Sequence, residues 1–443
     1  HQYKRSDFKD FLQMRRYESY KDSGVEWLGE VPHCWDVKKV KNIFHLIAEP
    51  AAKNNQCELL SVYTDIGVKP RAELEERGNK ASTTDGYWIV KKGDIVVNKL
   101  LAWMGAIGLS EYDGVTSPAY DILRPHQQIN GKFFHYLFRT PLCLSEFKKN
   151  SRGIMDMRLR LYFEELGNIY IPFPSYPEQQ KIAQFLDDKT AKIDQAVDLA
   201  EKQIALLKEH KQILIQNAVT RGLNPDVPLK DSGVEWIGQV PEHWEVKKLK
   251  YLAKLSPSKS EITCNHEESC SFIPMEKLKL NTLVLDEIKQ IKNVYSAYTY
   301  FRDEDLLIAK VTPCFENKNF AIAKNLVNSI GFGSSEIYVL RTYNNLFNKF
   351  LFYRLQEQNF MEIAISKMSG TGGLKRVPSE FINNFQLALP PFCEQQQIAD
   401  YLDKQTAKID QAIALKTAHI EKLKEYKSVL INDVVTGKVR VSV

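Results

Sequence analysis

The sequence predicts a mixed, α+β fold: two α/β domains separated by two long helices, the helices pairing as an antiparallel coiled coil about a pseudo-two-fold axis. Three observations carry this expectation. The segment Asp22-Ser-Gly-Val-Glu-Trp-Leu-Gly-Glu-Val-Pro32 returns as Asp231-Ser-Gly-Val-Glu-Trp-Ile-Gly-Gln-Val-Pro241, and Trp35 returns as Trp244, 209 positions later. A second block, residues 178–220, returns 216 positions later as 394–436 with 24 of 43 positions identical, including an unbroken Thr-Ala-Lys-Ile-Asp-Gln-Ala at 190–196 and 406–412. The long segments between these blocks resemble each other only weakly. Constant frames around divergent inserts suggest one scaffold used twice to read two different things.

A chain of 443 residues is too long for one core and fits two or three domains. The repeats divide it into an N-terminal extension (1–19), a first α/β domain (20–176), a central helical region (177–222), a second α/β domain (223–392), a C-terminal helical region (393–437) and a tail (438–443). The chain opens on His1, so residues 1–13 read as upstream or vector-derived sequence and Met14 as the natural start. Neither a signal-peptide pattern nor an apolar run of membrane-spanning length is present, and the expected location is the cytoplasm.

The opening motif comes first in each half. Trp27, Trp35, Trp236 and Trp244 at fixed spacing beside Gly and Pro read as packed corners that dock each variable domain to the helical frame.

The variable segments that follow read as α/β. Residues 87–99 give a turn and a short buried strand, weakly matched by 301–310. Turns are expected at Asp113-Gly114 and at 331–333, before strands ending at Arg124 and Arg341. Aromatic-rich helical stretches follow at 132–149 and 349–367.

The repeated helical block carries a seam. Ile193, Val197, Ala200, Ile204, Leu207, Lys211 and Leu214 step 4-3-4-3-4-3, and Ile409, Ile413, Lys416, Ile420, Leu423, Lys427 and Leu430 repeat that spacing. The lysines make the stripe imperfect, which favours a two-helix seam over a long fibrous coil. A rod of about 30 residues from Thr190 spans ~45 Å. A shorter amphipathic turn at 178–186, introduced by Pro172, Pro174 and Pro177, precedes it. Arg221-Gly222 ends the first helix. Separate core helices in two unrelated domains are the plainer alternative.

Catalytic signatures are missing. Residues 370–375 lack the spacing and ending of a phosphate-binding loop, and no Gly-x-Ser-x-Gly, His-Glu-x-x-His or dinucleotide fingerprint occurs. Leu389-Pro-Pro-Phe392 looks like the Asn-Pro-Pro-Phe of adenine methyltransferases but has Leu in place of the amide, and reads as a helix-leading turn. Cys264, Cys270 and His266 come closest to a metal cluster without its spacing; the seven scattered cysteines read as reduced thiols. No metal site and no cofactor are expected in this chain, which reads as a binding protein.

A net charge of +5 permits a nucleic-acid partner without demanding one. The candidate DNA-binding residues are Arg152, Arg158 and Arg160 in one Gly-containing loop and Lys367, Lys375 and Arg376 in its counterpart. Lys92, Asn98, Lys99 and Lys310 join them at the ends of predicted strands. Glycines let a backbone approach a phosphate, and Arg and Lys pair with phosphates or guanine acceptors. For any one of them a solvated charge is the plainer reading; two clusters at equivalent places favour binding.

With its doubled Asp-Ser-Gly-Val-Glu-Trp-x-Gly-x-Val-Pro and doubled Pro-rich turn followed by Glu-Gln-Gln-x-Ile-Ala-x-x-Leu, the chain resembles the specificity subunit of type I restriction-modification systems. The likeness runs from about Tyr17 to the C-terminus. It implies a non-catalytic subunit with two target-recognition domains, each reading half of a bipartite, asymmetric double-stranded DNA site. It also implies that the paired helices set the half-site spacing and dock two modification subunits. Those methyltransferases use S-adenosylmethionine, and restriction subunits add ATP- and Mg2+-dependent translocation and cleavage. The family offers no fixed base-contacting motif to carry over. The competing expectation is a coiled-coil scaffold whose α/β domains bind protein or sugar.

Overall fold

The repeated opening segment builds the same tight hairpin twice, because its own side chains cap its turn. Strand Tyr20–Asp22 pairs antiparallel with Glu30–Pro32, and Leu229–Asp231 with Gln239–Pro241. Asp22 Oδ1 accepts the Gly24 amide and Asp231 Oδ1 the Gly233 amide, both at 2.9 Å. Ser23 and Ser232 bond the backbone of Val25 and Val234 in the same way. Such local bonds favour a turn over helix or strand. Gly24 and Gly233 have φ of 67° and 71°, the left-handed region open to glycine.

The computed structural model describes residues 15–73, 84–154, 158–371 and 373–441, so Met14 and the segment before it lie outside the described residues. The chain divides into two units, residues 1–200 with 418–443, and residues 201–417. Each unit therefore holds one α/β domain, the N-terminal part of one long helix and the C-terminal part of the other. The helical regions are shared between the units and do not form a unit of their own.

In the first unit a four-stranded antiparallel sheet runs in the order Phe44–Ile47, Tyr120–Pro125, Ile95–Asn98, Ile107–Leu109. The second unit has Ala253–Leu255, Ile337–Thr342, Leu306–Ala309, Phe320–Ile322 in the same order. Ile95–Asn98 and Leu306–Ala309 are buried at every position, so two unlike sequences meet one requirement, an apolar run between neighbours. The second unit adds a further sheet, Ile288–Gln290, Ser269–Ile273, Ile330–Gly333 and Thr299–Arg302, with one parallel pair.

Two expectations are corrected. Gly114, Gly331 and Gly333 lie inside strands Gly114–Thr116 and Ile330–Gly333, not in turns. A Cβ on Gly114 would strike the Glu58 carbonyl, and one on Gly331 the Phe301 ring, so these glycines serve close packing. The short turn at 178–186 and the rod from Thr190 are one element: helix Tyr176–Arg221 has 46 residues and its partner Phe392–Val435 has 44. No glycine or proline interrupts residues 178–221, and 46 residues span about 69 Å.

Within each unit the helices run antiparallel. Lys427 Nζ meets both Asp194 carboxylate oxygens at 2.7 Å in the first unit, and Lys211 meets Asp410 at the same distance in the second. These are one contact with the helices' roles exchanged. Lys416 Nζ reaches Gln203 Oε1 at 2.6 Å. The lysines that interrupt the stripe thus bond across it. Ile193, Ile409, Ile420 and Leu430 are buried, while Val197, Ile204, Leu207, Leu214, Ile413 and Leu423 are half-buried along the same face. Exposed pairs of this kind contribute ~0.2–1 kcal/mol each, so they fix register more than strength. Among the described residues no helix is long and apolar enough to cross a membrane.

Candidate nucleic-acid interface

The strands that carry the candidate residues are anchored at their N-terminal ends by a buried carboxylate. Asp94, 2% exposed, accepts the Lys91 amide at 2.8 Å and grips Arg124 with both oxygens, at 2.9 and 2.8 Å. Asp305, 1% exposed, accepts the Arg302 amide at 2.9 Å and grips Arg341 at 2.7 and 2.6 Å. Glu49 and Glu261 complete the two guanidinium shells. Bonding to Asp94 holds the Arg124 pKa above its ordinary value, and the Asp305 and Glu261 carboxylates do the same for Arg341 against the pull of burial. This doubled arrangement was not read from the sequence, although an Asp before each buried strand and an Arg ending each partner strand were visible.

At the far ends of those strands the candidates gather. Asn98 is buried, and its Oδ1 accepts the Leu100 amide at 3.1 Å. Lys99 Nζ lies 3.1 Å from Asp121. Arg152 and Arg160 exchange two backbone hydrogen bonds of 2.9 Å and so close a hairpin, and the Leu161 amide ties it to the Lys99 carbonyl at 2.9 Å. In the second unit Ser369 and Arg376 exchange bonds of 3.1 and 2.8 Å, and the Val377 amide reaches the Lys310 carbonyl at 2.9 Å. Arg158 lies in the first hairpin and Lys375 in the second. Lys367 ends helix Gln358–Lys367, which leads into the second hairpin. Each unit therefore sets a cationic hairpin against the lysine that ends its central strand.

Lys92 does not join this group. It sits in the turn at the other end of strand Ile95–Asn98, its amide bonded to Asp113.

The cations differ in what they touch. Arg158, Arg160, Lys367 and Lys375 are exposed. Arg152 pairs with Glu165, and Arg376 forks onto Glu336 with two bonds of 2.9 Å, which lowers the Glu336 pKa. Lys310 Nζ stands 5.1 Å above the Tyr338 ring. Both arginines are exposed but their carboxylates are largely enclosed, Glu165 at 13% and Glu336 at 28% exposure, so these pairs tie the hairpins to their domains.

The tryptophans fix each hairpin-bearing domain to the helices of its unit. Trp35 is fully buried, edge-on to Phe133 at 6.4 Å, in a core that includes Ile182, Leu186, Leu430 and Val434. Trp244 is fully buried with Ile215, Val219, Ile398 and Leu402, and its Nε1 donates to Glu394 at 3.2 Å. Trp27 packs half-buried against the first core, and Trp236 stacks on Phe385 at 4.6 Å. Two further ties recur. Tyr136 and Lys132 bond Asp187 at 2.8 and 2.7 Å, and Tyr353 and Lys349 bond Asp403. Buried Gln179 and Gln395 each hold backbone groups on two segments. The repeated Lys-x-x-x-Tyr and Glu-Gln-Gln could have signalled both.

His135 gives the first unit a pH dependence. Burial, with Arg139 nearby, pushes its pKa down to about 4, so the folded chain keeps the ring neutral where the unfolded chain, near 6.5, takes a proton. The unfolded state therefore binds more protons between these values, and stability falls as pH drops from about 6.5 to 4. His135→Gln is expected to flatten that dependence by roughly 2 kcal/mol, measured by urea unfolding at pH 7 and pH 4.5; a parallel pair of curves would refute the assignment.

Among the described residues no group of three His, Cys, Asp or Glu is placed to hold a metal ion. Cys270 is buried with its Sγ bonded to the Lys289 carbonyl, and His266 lies on Tyr295.

Comparison with known proteins places this architecture. The family model described as the type I restriction modification DNA specificity domain matches residues 32–208 and 241–425. The specificity subunit of type I restriction enzyme EcoAI from Escherichia coli is 38% identical over 163 residues, 36% of this chain but only 27% of that subunit. The specificity subunit of type I restriction enzyme MjaVIII from Methanocaldococcus jannaschii is 23% identical over 427 residues, 93% of this chain and 94% of that one. A chain solved in a study of complex assembly and conformational transition of the type I R-M system superposes with a TM-score of 0.66 at 16% identity, covering 91% of this chain and 98% of that one. Two matches of the family model, one in each half and together spanning well over half the sequence, show that this chain belongs to the type I restriction-modification DNA specificity family.

Proposed function

We propose that each α/β domain reads one half of a bipartite, asymmetric DNA site, and that the long helices set the half-site spacing and dock two methyltransferase subunits. The observation that carries this reading is the cationic hairpin built at the same place in both units from unlike sequences. A shared backbone frame suits phosphates, which are alike at every site, while unlike side chains suit unlike bases. A helix of about 69 Å is long enough to hold two heads one DNA turn, ~34–36 Å, apart.

In this reading the chain performs no chemistry. S-adenosylmethionine belongs to the modification subunits, and ATP and Mg2+ to the restriction subunits. The charge of +5 suits weak, salt-sensitive binding alone and tight binding once partners close around the duplex.

Sequencing of modified bases in cells carrying the chain with its methyltransferase is expected to give a bipartite, non-palindromic motif; a continuous or palindromic one would count against the proposal. Arg158→Ala and Arg376→Ala are each expected to relax one half-site only, at a cost of ~1–3 kcal/mol in discrimination. Equal loss at both half-sites, or none, would assign these arginines to the fold.

A further inference from the structure

The two hairpins share a feature that the folded chain does not use. Gly153 and Gly370 lie where a Cβ would strike the opposite arm, at the Arg158 and Leu374 carbonyls, so each hairpin is closed tightly at its glycine. Beside each closure an aliphatic side chain stands in solvent: Ile154 is 98% exposed and Leu374 50% exposed. Both are surrounded in sequence by cations: Arg152, Arg158 and Arg160 in one hairpin, Lys375 and Arg376 in the other. Burying such a side chain fully would stabilise the fold by about 1.5–3 kcal/mol, of which Ile154 supplies almost none and Leu374 about half.

We propose that Ile154 and Leu374 are specificity-determining residues, each packing against a thymine C5-methyl group in the major groove of its half-site. The inference rests on the DNA-reading function proposed above. A loop closed by one antiparallel bridge, with side chains on either side of it, is better accommodated by a major groove ~12 Å wide than by a minor groove ~6 Å wide. In the major groove the apolar feature of base edges is the thymine methyl, which lies among the acceptors and phosphates that arginines pair with.

The test uses this chain assembled with its methyltransferase, and duplexes carrying its own methylated motif with each thymine replaced in turn by deoxyuridine, which lacks only the methyl. One replacement in one half-site is expected to weaken binding about fourfold, the effect of one buried methyl group. Ile154→Ala should weaken the parent duplex by at least as much and bind the deoxyuridine duplex no more weakly, since the contact is already gone. Leu374→Ala should behave likewise at the other half-site. Neither variant should change the slope of affinity against salt, because neither removes a charge. Because Ile154 is solvent-exposed, loss of binding cannot come from unfolding.

Sequence-specific binding that is indifferent to every thymine methyl, a half-site without an A·T pair, or full additivity of Ile154→Ala with each deoxyuridine would overturn the inference and leave the DNA-reading function standing. Absence of any sequence-specific binding would remove both.

Discussion

Asp305→Ala is expected to destabilise the second unit by about 3–5 kcal/mol, the cost of leaving one member of a buried ion pair uncompensated. The carboxylate is almost wholly enclosed, takes two hydrogen bonds from Arg341 and caps the turn through the Arg302 amide. Removing it strands a guanidinium that is itself largely buried, with Glu261 the one remaining ion-pair partner among the described residues. The turn also loses its cap just before the central strand Leu306–Ala309. Replacing the pair together, Asp305→Leu with Arg341→Met, should recover most of the loss, because the stranded charge goes with its partner. Asp94→Ala should act in the same way on the first unit. Thermal unfolding followed by circular dichroism decides the matter: an Asp305→Ala midpoint equal to that of the parent would show that the pair does not anchor the strand.

Trp244→Ala carries a comparable cost, ~3–5 kcal/mol, by removing the largest apolar side chain of a core that joins the α/β domain to both helices. The two repeated tryptophans also allow a finer comparison. Trp244 Nε1 donates to Glu394, whereas Trp35 Nε1 makes no hydrogen bond among the described residues. Trp244→Phe leaves a carboxylate oxygen without that donor, while Trp35→Phe removes an indole N–H that was already unsatisfied. Trp244→Phe should therefore be the more costly of the two by about 1 kcal/mol. Urea unfolding of both variants measures this, and equal losses would mean that the Glu394 bond contributes nothing.

Much of the frame was legible because it is duplicated. The 4-3 stripe located the helix seam, and the doubled opening motif located the tryptophans that now sit in two equivalent cores. The central strands were legible as short apolar runs after charged turns, at 95–98 and 306–309. Periodicity could not reveal that 178–186 continues into the rod: nothing between them breaks a helix, and the preceding prolines drew attention to a boundary. The glycines at 114, 331 and 333 were read as turns because close packing against a ring or carbonyl leaves no trace in local sequence. At the candidate interface, the hairpins were legible as cation clusters. Their backbone bonds to Lys99 and Lys310, and the Arg152 and Arg376 pairs with carboxylates, depend on residues distant in sequence. The buried Asp–Arg anchors lay between the two levels, since each partner was visible in both halves but the pairing needed the sheet register.

The sharing of each long helix between the units has a consequence for biosynthesis. Leu430, Val434 and Val435 belong to the same core as Trp35 and Phe133. A ribosome that has finished the first α/β domain has thus made a head whose interior is still open on one side. That interior closes only when residues 430–435 emerge, after the second α/β domain has been made, so the domain made first is completed after the second.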